Sequence, residues 1–106
     1  HHCSLCNIAT TSVLRASHIK EWAESSREER IDANNGLLLC ANHDALFDRH
    51  LISFEPNTGN ICISSSIDSE QRNALNISDT ARITMSDRMK AYMQVHYKKF
   101  IEKDNQ

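Results

Sequence analysis

The sequence predicts a small α+β domain in the order strand, loop, strand, helix, hairpin and terminal helix. Two apolar runs, at 13–19 and 36–40, are short enough to be strands. Two further short apolar runs, 51–54 and 60–63, flank a turn rich in Pro, Asn and Gly, which is typical of a β-hairpin. Large apolar side chains recur at spacings of three and four near the end of the chain, which predicts an amphipathic helix over 86–102.

The remaining segments are polar and less strongly patterned. The stretch 20–35 is predicted to be a long ordered loop with a helical turn around 26–30. Helix-forming residues at 41–49 predict a helix directly after the second strand. A short helix is also expected over 69–75.

Length and charge exclude several classes of protein. The chain has 106 residues, with 12 Lys and Arg against 14 Asp and Glu, so its formal net charge is −2. This length fits one domain, and abundant Leu, Ile and Val argue against disorder. The weak acidity argues against a module that grips nucleic acid by bulk positive charge alone. No apolar run could span a membrane and no secretory leader is visible, so we expect no membrane association and a cytoplasmic location.

Two pairs of residues have the spacing of metal ligands. Cys3 and Cys6 are separated by two residues, and so are Cys40 and His43. Such a gap lets both side chains of a pair face one ion, and three thiolates with one imidazole form a structural Zn²⁺ set. The alternatives are a buried core Cys40 with His43 capping a helix, or a disulfide or redox pair formed by the first two cysteines. Cys62 is predicted to be a small buried apolar residue in the hairpin.

A second group of polar residues overlaps with these pairs. Asp44 and Asp48 are four residues apart, so both carboxylates would project from one face of a helix. A hard divalent cation binds such a pair, although acidic pairs on solvated helix faces are common without one. His18 stands in the first predicted strand, and Asn34 and Asn35 precede the second.

The order of these residues over 3–54 resembles that of the HNH endonuclease family. The segments that carry the resemblance are ASHI, NNGLLLC and CANHDALFD, within a stretch of about half the chain. The resemblance implies a small ββα-metal (treble-clef-like) core, to which this chain adds a β-hairpin and a C-terminal amphipathic helix. The stretch is most similar to the restriction-type branch of the family, found as the C-terminal nuclease domain of larger bacterial proteins.

The resemblance also implies roles for individual residues. The family's first histidine, the general base, matches His18. Its asparagine matches Asn35, with Asn34 as the alternative one position earlier, and the role is to orient the loop or the histidine ring. Asp44 and Asp48 match the positions at which the helix histidines of related colicin nucleases bind the catalytic metal.

The chain departs from the family pattern at two positions. Ser17 stands where many members carry an acidic metal ligand before the first histidine. Asp44 stands where the third signature residue is usually histidine, so that the signature is H-N-D unless His43 binds the catalytic metal and the zinc site fails.

The resemblance thus implies a metal-dependent DNA endonuclease that uses one Mg²⁺ or Mn²⁺ and leaves 5′-phosphate and 3′-hydroxyl ends. Arg15, Lys20 and Arg49 are candidates for phosphate contact, and a solvated surface role is the alternative for each. His50 is expected to be a surface residue of a turn, with phosphate contact as the alternative. A catalytically degenerate, zinc-stapled module that binds nucleic acid or protein remains the alternative function.

The domain organisation is expected to be simple. We interpret 1–106 as one nuclease domain, with a core at 1–54, a hairpin at 51–63 and a terminal helix at 86–102. The chain begins with His1 and His2 rather than Met, which suggests a fragment of a longer protein or a tag remnant. An upstream specificity domain in the same bacterial polypeptide is therefore expected, and a homodimer is a further alternative.

Overall fold

The computed structural model describes all 106 residues and contains two antiparallel hairpins and four α-helices. The strands are β1 (Leu14–His18), β2 (Gly36–Cys40), β3 (Ile52–Phe54) and β4 (Ile61–Ile63), and the helices are α1 (Arg27–Ile31), α2 (Ala41–Asp48), α3 (Ser69–Ala74) and α4 (Asp87–Asp104). Short 3₁₀ helices lie at Thr11–Val13, Trp22–Glu24 and Ala33–Asn35. None of the helices could span a membrane. The predicted α+β fold is confirmed.

The first hairpin and α2 form a ββα core. β1 pairs antiparallel with β2, so that Arg15 lies opposite Leu39 and Ser17 opposite Leu37. Both leucines are buried. Directly opposed residues of a sheet share one face, so Arg15 and Ser17 lie on the side of the sheet that the two leucines occupy. α2 starts at the residue after Cys40 and packs on both strands.

The loop between β1 and β2 is ordered by its own polar groups. Ser26 caps α1 by accepting a hydrogen bond from the Glu29 N–H, while the Glu29 carboxylate accepts one from the Ser26 N–H at 2.8 Å. This reciprocal arrangement satisfies two backbone donors that the start of a helix would otherwise leave unpaired. The helical turn predicted at 26–30 is thus confirmed.

The second hairpin continues from α2. Ile52 pairs with Ile63 and Phe54 with Ile61, and all of β3 is buried. Gly59 in the connecting turn has a φ of 78°, and a Cβ there would clash with the carbonyl oxygen of Ile83. Glycine is therefore required at this position. Cys62, predicted to be buried, is only half-buried, because it sits on β4, whose last two residues are not fully covered.

The terminal helix α4 covers the hairpin and α2. Ser86 caps its start, and its apolar side buries four residues in the core: Tyr92, Met93, His96 and Phe100. Met93 lies with Phe47, Ile52 and Phe54 in one apolar cluster from which solvent is fully excluded. The helix predicted over 86–102 is confirmed, and it ends two residues later, at Asp104.

α4 also braces the loop between β1 and β2. Near its start, Arg88 and the hydroxyl of Tyr92 donate hydrogen bonds to the Asp32 carboxylate at 2.6 and 2.7 Å. Farther along, Lys99 donates to Glu24. Residues near both ends of the loop are therefore fastened to one helix.

His50 is not the surface residue that the sequence predicted. It adopts a left-handed backbone conformation with a φ of 56°, and its side chain is only 13 % exposed. α4 packs over this turn, and the His50 ring stacks on His96 with 4.3 Å between ring centroids. Its Nε2 atom is buried and has no hydrogen-bond partner. Neighbouring residues form the turn, but α4, which lies much later in the chain, buries it.

His96 is the buried centre of this contact. Its ring stacks on Phe47 at 3.8 Å, its Nε2 donates to the Phe47 carbonyl at 2.7 Å, and its Nδ1 accepts from the Ser53 hydroxyl at 2.8 Å. Burial lowers the pKa of His96 to about 3. The ring is therefore neutral at neutral pH, and both nitrogens are satisfied.

Because His96 is buried in its neutral form, we expect the domain to lose stability in acid. An unfolded histidine titrates at about pH 6.5, so below that pH the unfolded chain binds a proton that the folded chain does not. Stability that is fully present above pH ~6.5 is then lost as the pH falls toward 3, by up to ~1.4 kcal/mol per pH unit. We expect urea unfolding midpoints, measured with Zn²⁺ in excess, to fall between about pH 7 and 5. In His96→Gln they should fall less steeply.

The control for this prediction is His1→Gln, which removes an exposed histidine at the chain end. This variant should keep the wild-type dependence on pH. An unchanged slope in His96→Gln would contradict the prediction.

Candidate functional site

Four side chains near the N-terminus form a cluster suited to a metal ion. One ligand atom each from Cys3, Cys6, Cys40 and His43 lies within 4.8 Å of all the others. The Cys3 Sγ is 3.4 Å from the His43 Nδ1, and the Cys6 Sγ is 4.0 Å from the Cys40 Sγ. All the cysteines are free thiols, so no disulfide joins the first pair. Three sulfurs and one imidazole nitrogen fit a closed structural Zn²⁺ site.

Backbone contacts bring the two ligand pairs together. The N–H and hydroxyl of Ser4 both donate to the Leu38 carbonyl at 2.8 Å, which docks the N-terminal segment on β2. Cys40 ends that strand, and His43 follows in the first turn of α2. His43 donates from Nε2 to the Leu75 carbonyl at 2.9 Å. Since Nε2 carries the proton, Nδ1 is free to bind a metal.

The cluster also favours a thiolate at Cys3. Burial opposes ionisation of this group, but a hydrogen bond from His43, when a proton rather than a metal ion occupies its Nδ1, and hydrogen bonds with the backbone of Cys40 and Leu5 outweigh it and lower the pKa of Cys3 to about 6. Thiolate is the form of cysteine that binds metals. Cys3 is therefore prepared as a ligand at neutral pH.

A cleft of about 830 Å³ lies between β1, the Trp22–Glu24 turn and α2. It brings together the main polar candidates from the sequence: Arg15, Ser17, His18, Asp44 and Asp48. His43 and Asp44 are adjacent on α2, yet the first belongs to the Cys/His cluster and the second to the cleft.

His18 lies at the end of β1 with its ring held from two sides. Its Nε2 is 3.0 Å from the Arg30 carbonyl oxygen. A carbonyl can only accept, so Nε2 carries the proton and Nδ1 is the basic nitrogen. The His18 and Trp22 rings pack edge to face, with 5.4 Å between centroids and 79° between planes.

Asn35 is buried behind the cleft rather than within it. Its Oδ1 accepts from the Lys20 N–H at 2.8 Å, and its Nδ2 donates to the Glu29 carbonyl at 3.1 Å and to Ser25 Oγ at 3.4 Å. It makes no hydrogen bond to the His18 ring. It instead ties the chain two residues after His18 to the α1 loop.

The two cleft carboxylates have different surroundings. Asp44 accepts a hydrogen bond from the Ser17 hydroxyl and lies 3.9 Å from Arg15 Nε. Asp48 makes no hydrogen bond and no ion pair. Neither belongs to a close set of three metal-ligating side chains. Any cation held here would therefore keep waters or take substrate oxygens as its other ligands.

Three other residues that the sequence suggested as site residues lie outside the cleft. Asn34 accepts from the Ser86 hydroxyl at 2.8 Å and faces α4. The Lys20 ammonium donates to both Glu29 carboxylate oxygens at 3.0 Å, so its charge is neutralised within the loop. Arg49 follows α2 outside the cleft lining. Arg15, 67 % exposed, is the one phosphate candidate that lines the cleft.

The cleft also contains two residues that the sequence did not single out. Glu21 lines it, forms an ion pair with Lys99 at 3.4 Å, and has a carboxylate oxygen 3.6 Å from the His50 Nε2 atom, too far for a hydrogen bond. Trp22 lines it beside His18. In the sequence, only their position shortly after His18 could have pointed to them. The contacts of Glu21 are with residues of distant elements, which no local pattern predicts.

A comparison with protein families adds the decisive observation. The model of a family described as HNH endonuclease matches residues 3–55. The chain belongs to the HNH endonuclease family. The match includes both ligand pairs, His18, Asn35 and all of α2, whereas α3 and α4 lie beyond it. The comparison with curated proteins gave no match.

Membership of this family indicates, at a general level, what the ββα core and the cleft do. HNH proteins are nucleases, which are hydrolases that bind nucleic acid. The Cys/His cluster of this HNH domain could hold a structural zinc, and the cleft on the other side of α2 contains two of the three signature positions, His18 and Asp44.

Proposed function

We propose that this HNH domain is a DNA endonuclease that uses His18 as its general base and one divalent cation, Mg²⁺ or Mn²⁺, at Asp44 and Asp48. One observation carries the proposal. The same cleft contains both carboxylates and a histidine whose hydrogen bond to the Arg30 carbonyl leaves Nδ1 basic. The products would be a 5′-phosphate and a 3′-hydroxyl.

Residues of this chain account for most of the proposed reaction. The Nδ1 of His18 takes a proton from a water as that water attacks the phosphorus in line with the leaving 3′ oxygen. The Arg30 carbonyl stabilises the resulting imidazolium by accepting from Nε2, and Asn35 fixes the loop that carries this carbonyl. Arg15, exposed at the cleft, supplies positive charge to the phosphate.

The carboxylates fit a hard cation that keeps part of its water. Mg²⁺ is typically bound by one or two carboxylates together with substrate phosphates. When bound here it would stabilise the charge that develops on the phosphate and on the leaving oxygen. Asp48 is free of protein partners. Asp44 would have to bind the cation while it still accepts the hydrogen bond from Ser17, or this hydrogen bond would have to break.

The charge of the chain bears on how the domain would gain affinity for DNA. A formal net charge of −2 provides little general attraction for DNA. We therefore infer a cleavage module that gains its affinity from an upstream specificity domain or a second copy, and the resemblance to the restriction-type branch of the family implies a role in restriction or defence. Free cysteines throughout the chain suit the reducing cytoplasm of a bacterium.

Plasmid nicking tests the proposed function. The zinc-loaded protein is incubated with supercoiled plasmid and either Mg²⁺, Mn²⁺ or no added cation. Open-circular DNA with 5′-phosphate and 3′-hydroxyl ends, formed only with the added cation, is the expected product. Plasmid that stays supercoiled under both cations would refute the proposal.

The Ser17–Asp44 hydrogen bond favours one alternative, a degenerate zinc-stapled binding module. In this case the hydroxyl and Arg15 occupy Asp44 permanently, and the cleft binds no cation. DNA or protein binding without cleavage under either cation would then be observed in the same assay.

The cation proposal makes a separate prediction for Asp48. Asp48→Asn keeps the size of the side chain but removes a negatively charged ligand. We expect nicking at limiting Mg²⁺ to fall by about 100-fold, an effect that corresponds to ~3 kcal/mol of transition-state stabilisation. Part of this loss should be recovered at high Mg²⁺.

Asp79→Asn is the matched control, since it makes the same chemical change at a surface ion pair with Arg72. Exposed pairs contribute at most ~1 kcal/mol to stability, so this variant should nick like the wild type. If both variants had equal activity at every Mg²⁺ concentration, Asp48 would not be a ligand.

A further inference from the structure

The largest exposed apolar side chain of the loop stands at the entrance to the cleft. Trp22 is the only tryptophan of the chain, it lines the cleft beside His18, and 57 % of its surface is exposed. It adds little to the apolar core, because its ring stays largely in contact with water. More than half of its surface is therefore accessible to a ligand of the cleft.

The Trp22 ring is also held in a fixed position. The Arg30 guanidinium lies 4.3 Å from the ring centre, and the Arg30 Nε donates to the Trp22 carbonyl at 2.9 Å. The carbonyl of the same arginine accepts the hydrogen bond from His18. Arg30 thus connects the tryptophan ring to the proposed general base through its side chain and its backbone.

A rigid ring with a cation on one face is suited to stacking. A nucleobase stacked on an aromatic side chain gains ~1–3 kcal/mol, and every base offers a flat face. An arginine beside the ring strengthens such a site by adding positive charge close to the backbone phosphates. A ring in this position next to His18 would hold the base of a nucleotide adjacent to the phosphate that is cut.

We propose that Trp22 is a base-stacking site for an unpaired nucleotide next to the scissile phosphate. The inference rests on the proposed function, because it places the stacked base beside the phosphate that His18 serves. A base inside an intact duplex already stacks on its neighbours, and taking it out costs a few kcal/mol. Single-stranded or distorted DNA should therefore bind better than regular duplex.

The fluorescence of Trp22 tests this directly, since no other tryptophan contributes. Zinc-loaded protein without other divalent cations is titrated with octathymidylate, and separately with an oligonucleotide of eight abasic sites that has the same phosphates. Fluorescence anisotropy of end-labelled oligonucleotides reports binding in each case. We expect saturable quenching by octathymidylate and little by the abasic strand, compared at equal occupancy.

Substitution gives a second readout. Trp22→Ala should weaken octathymidylate binding by about 5- to 150-fold, the range that corresponds to stacking on one base, and Trp22→Phe should recover most of it. Ile31→Ala is the control, because Ile31 is the most exposed large apolar residue at 83 % and lies outside the cleft. Far-UV circular dichroism checks that each variant is folded.

The outcomes separate the two proposals. Equal quenching by both oligonucleotides, or unchanged affinity in Trp22→Ala, would overturn the stacking site. Plasmid nicking by the wild type in either case would leave the nuclease proposal standing. Base-dependent quenching without nicking would support the stacking site and point to a binding module. A wild type that neither binds nor cuts DNA would overturn both.

Discussion

Replacing His18 with alanine is expected to reduce plasmid nicking by about 100- to 10,000-fold, the range usually supplied by general acid–base catalysis. The reason lies in the hydrogen bond from Nε2 to the Arg30 carbonyl, which leaves Nδ1 as the only basic atom of the ring. The initial rate of open-circle formation in Mg²⁺ and in Mn²⁺ measures the effect. The fold should survive, because His18 ends a strand and only part of its side chain is buried.

A second substitution separates proton transfer from positioning. His18→Gln can still donate an amide N–H toward the Arg30 carbonyl, but it cannot accept a proton at neutral pH. It should therefore be as inactive as His18→Ala. Substantial nicking by the glutamine variant would show that His18 orients its neighbours and that the base lies elsewhere. His1→Ala, at the exposed chain end, should leave the rate unchanged.

Local patterns were sufficient for the elements of the fold. The strands β1 and β2 follow from short apolar runs, and α4 follows from apolar residues that recur every three or four positions. The metal cluster follows from two equal spacings, because a two-residue gap already places both ligands of a pair on one side. Each strand, helix and ligand-pair signal lies within one short segment of the sequence, although the contact of Ser4 with the Leu38 carbonyl is needed to bring the two pairs together.

The cleft is only partly predictable, because contacts between distant segments complete it. Lys20 is a reasonable phosphate ligand by its position, yet Glu29 neutralises it within the same loop. Nothing in the sequence predicts that α4 covers His50 or that Lys99 reaches Glu21. Such pairings depend on how the last helix packs, and no local pattern encodes that packing.

Loss of the zinc site should have the largest effect on stability. Structural Zn²⁺ contributes on the order of 10 kcal/mol to the folding of small zinc modules, which is comparable with the entire stability of a typical domain. Cys40 connects β2 to α2, and His43 holds the Leu75 carbonyl, so the ion would join the N-terminal segment, the core hairpin and the end of α3. We expect Cys40→Ala to abolish cooperative thermal unfolding and to lower bound zinc from one ion per chain to much less.

Metal analysis and thermal melting of the same preparations measure both effects. Cys62→Ala is the matched control, because it removes a half-buried cysteine that lies outside the cluster. It should keep one zinc per chain and melt within a few degrees of the wild type. A Cys40→Ala variant that retained stoichiometric zinc and a cooperative transition would contradict the assignment.

The proposed zinc and cation sites can be told apart because neighbouring residues of α2 belong to different groups of side chains. His43 points into the Cys/His cluster, whereas Asp44 and Asp48 line the cleft. Damage to the cluster should lower stability and nicking together, since the cleft depends on the position of α2. Damage at Asp48 should lower nicking alone. A chelator that removed zinc without unfolding the chain, while nicking continued in Mg²⁺, would show that the fold stands on its apolar core and not on the ion.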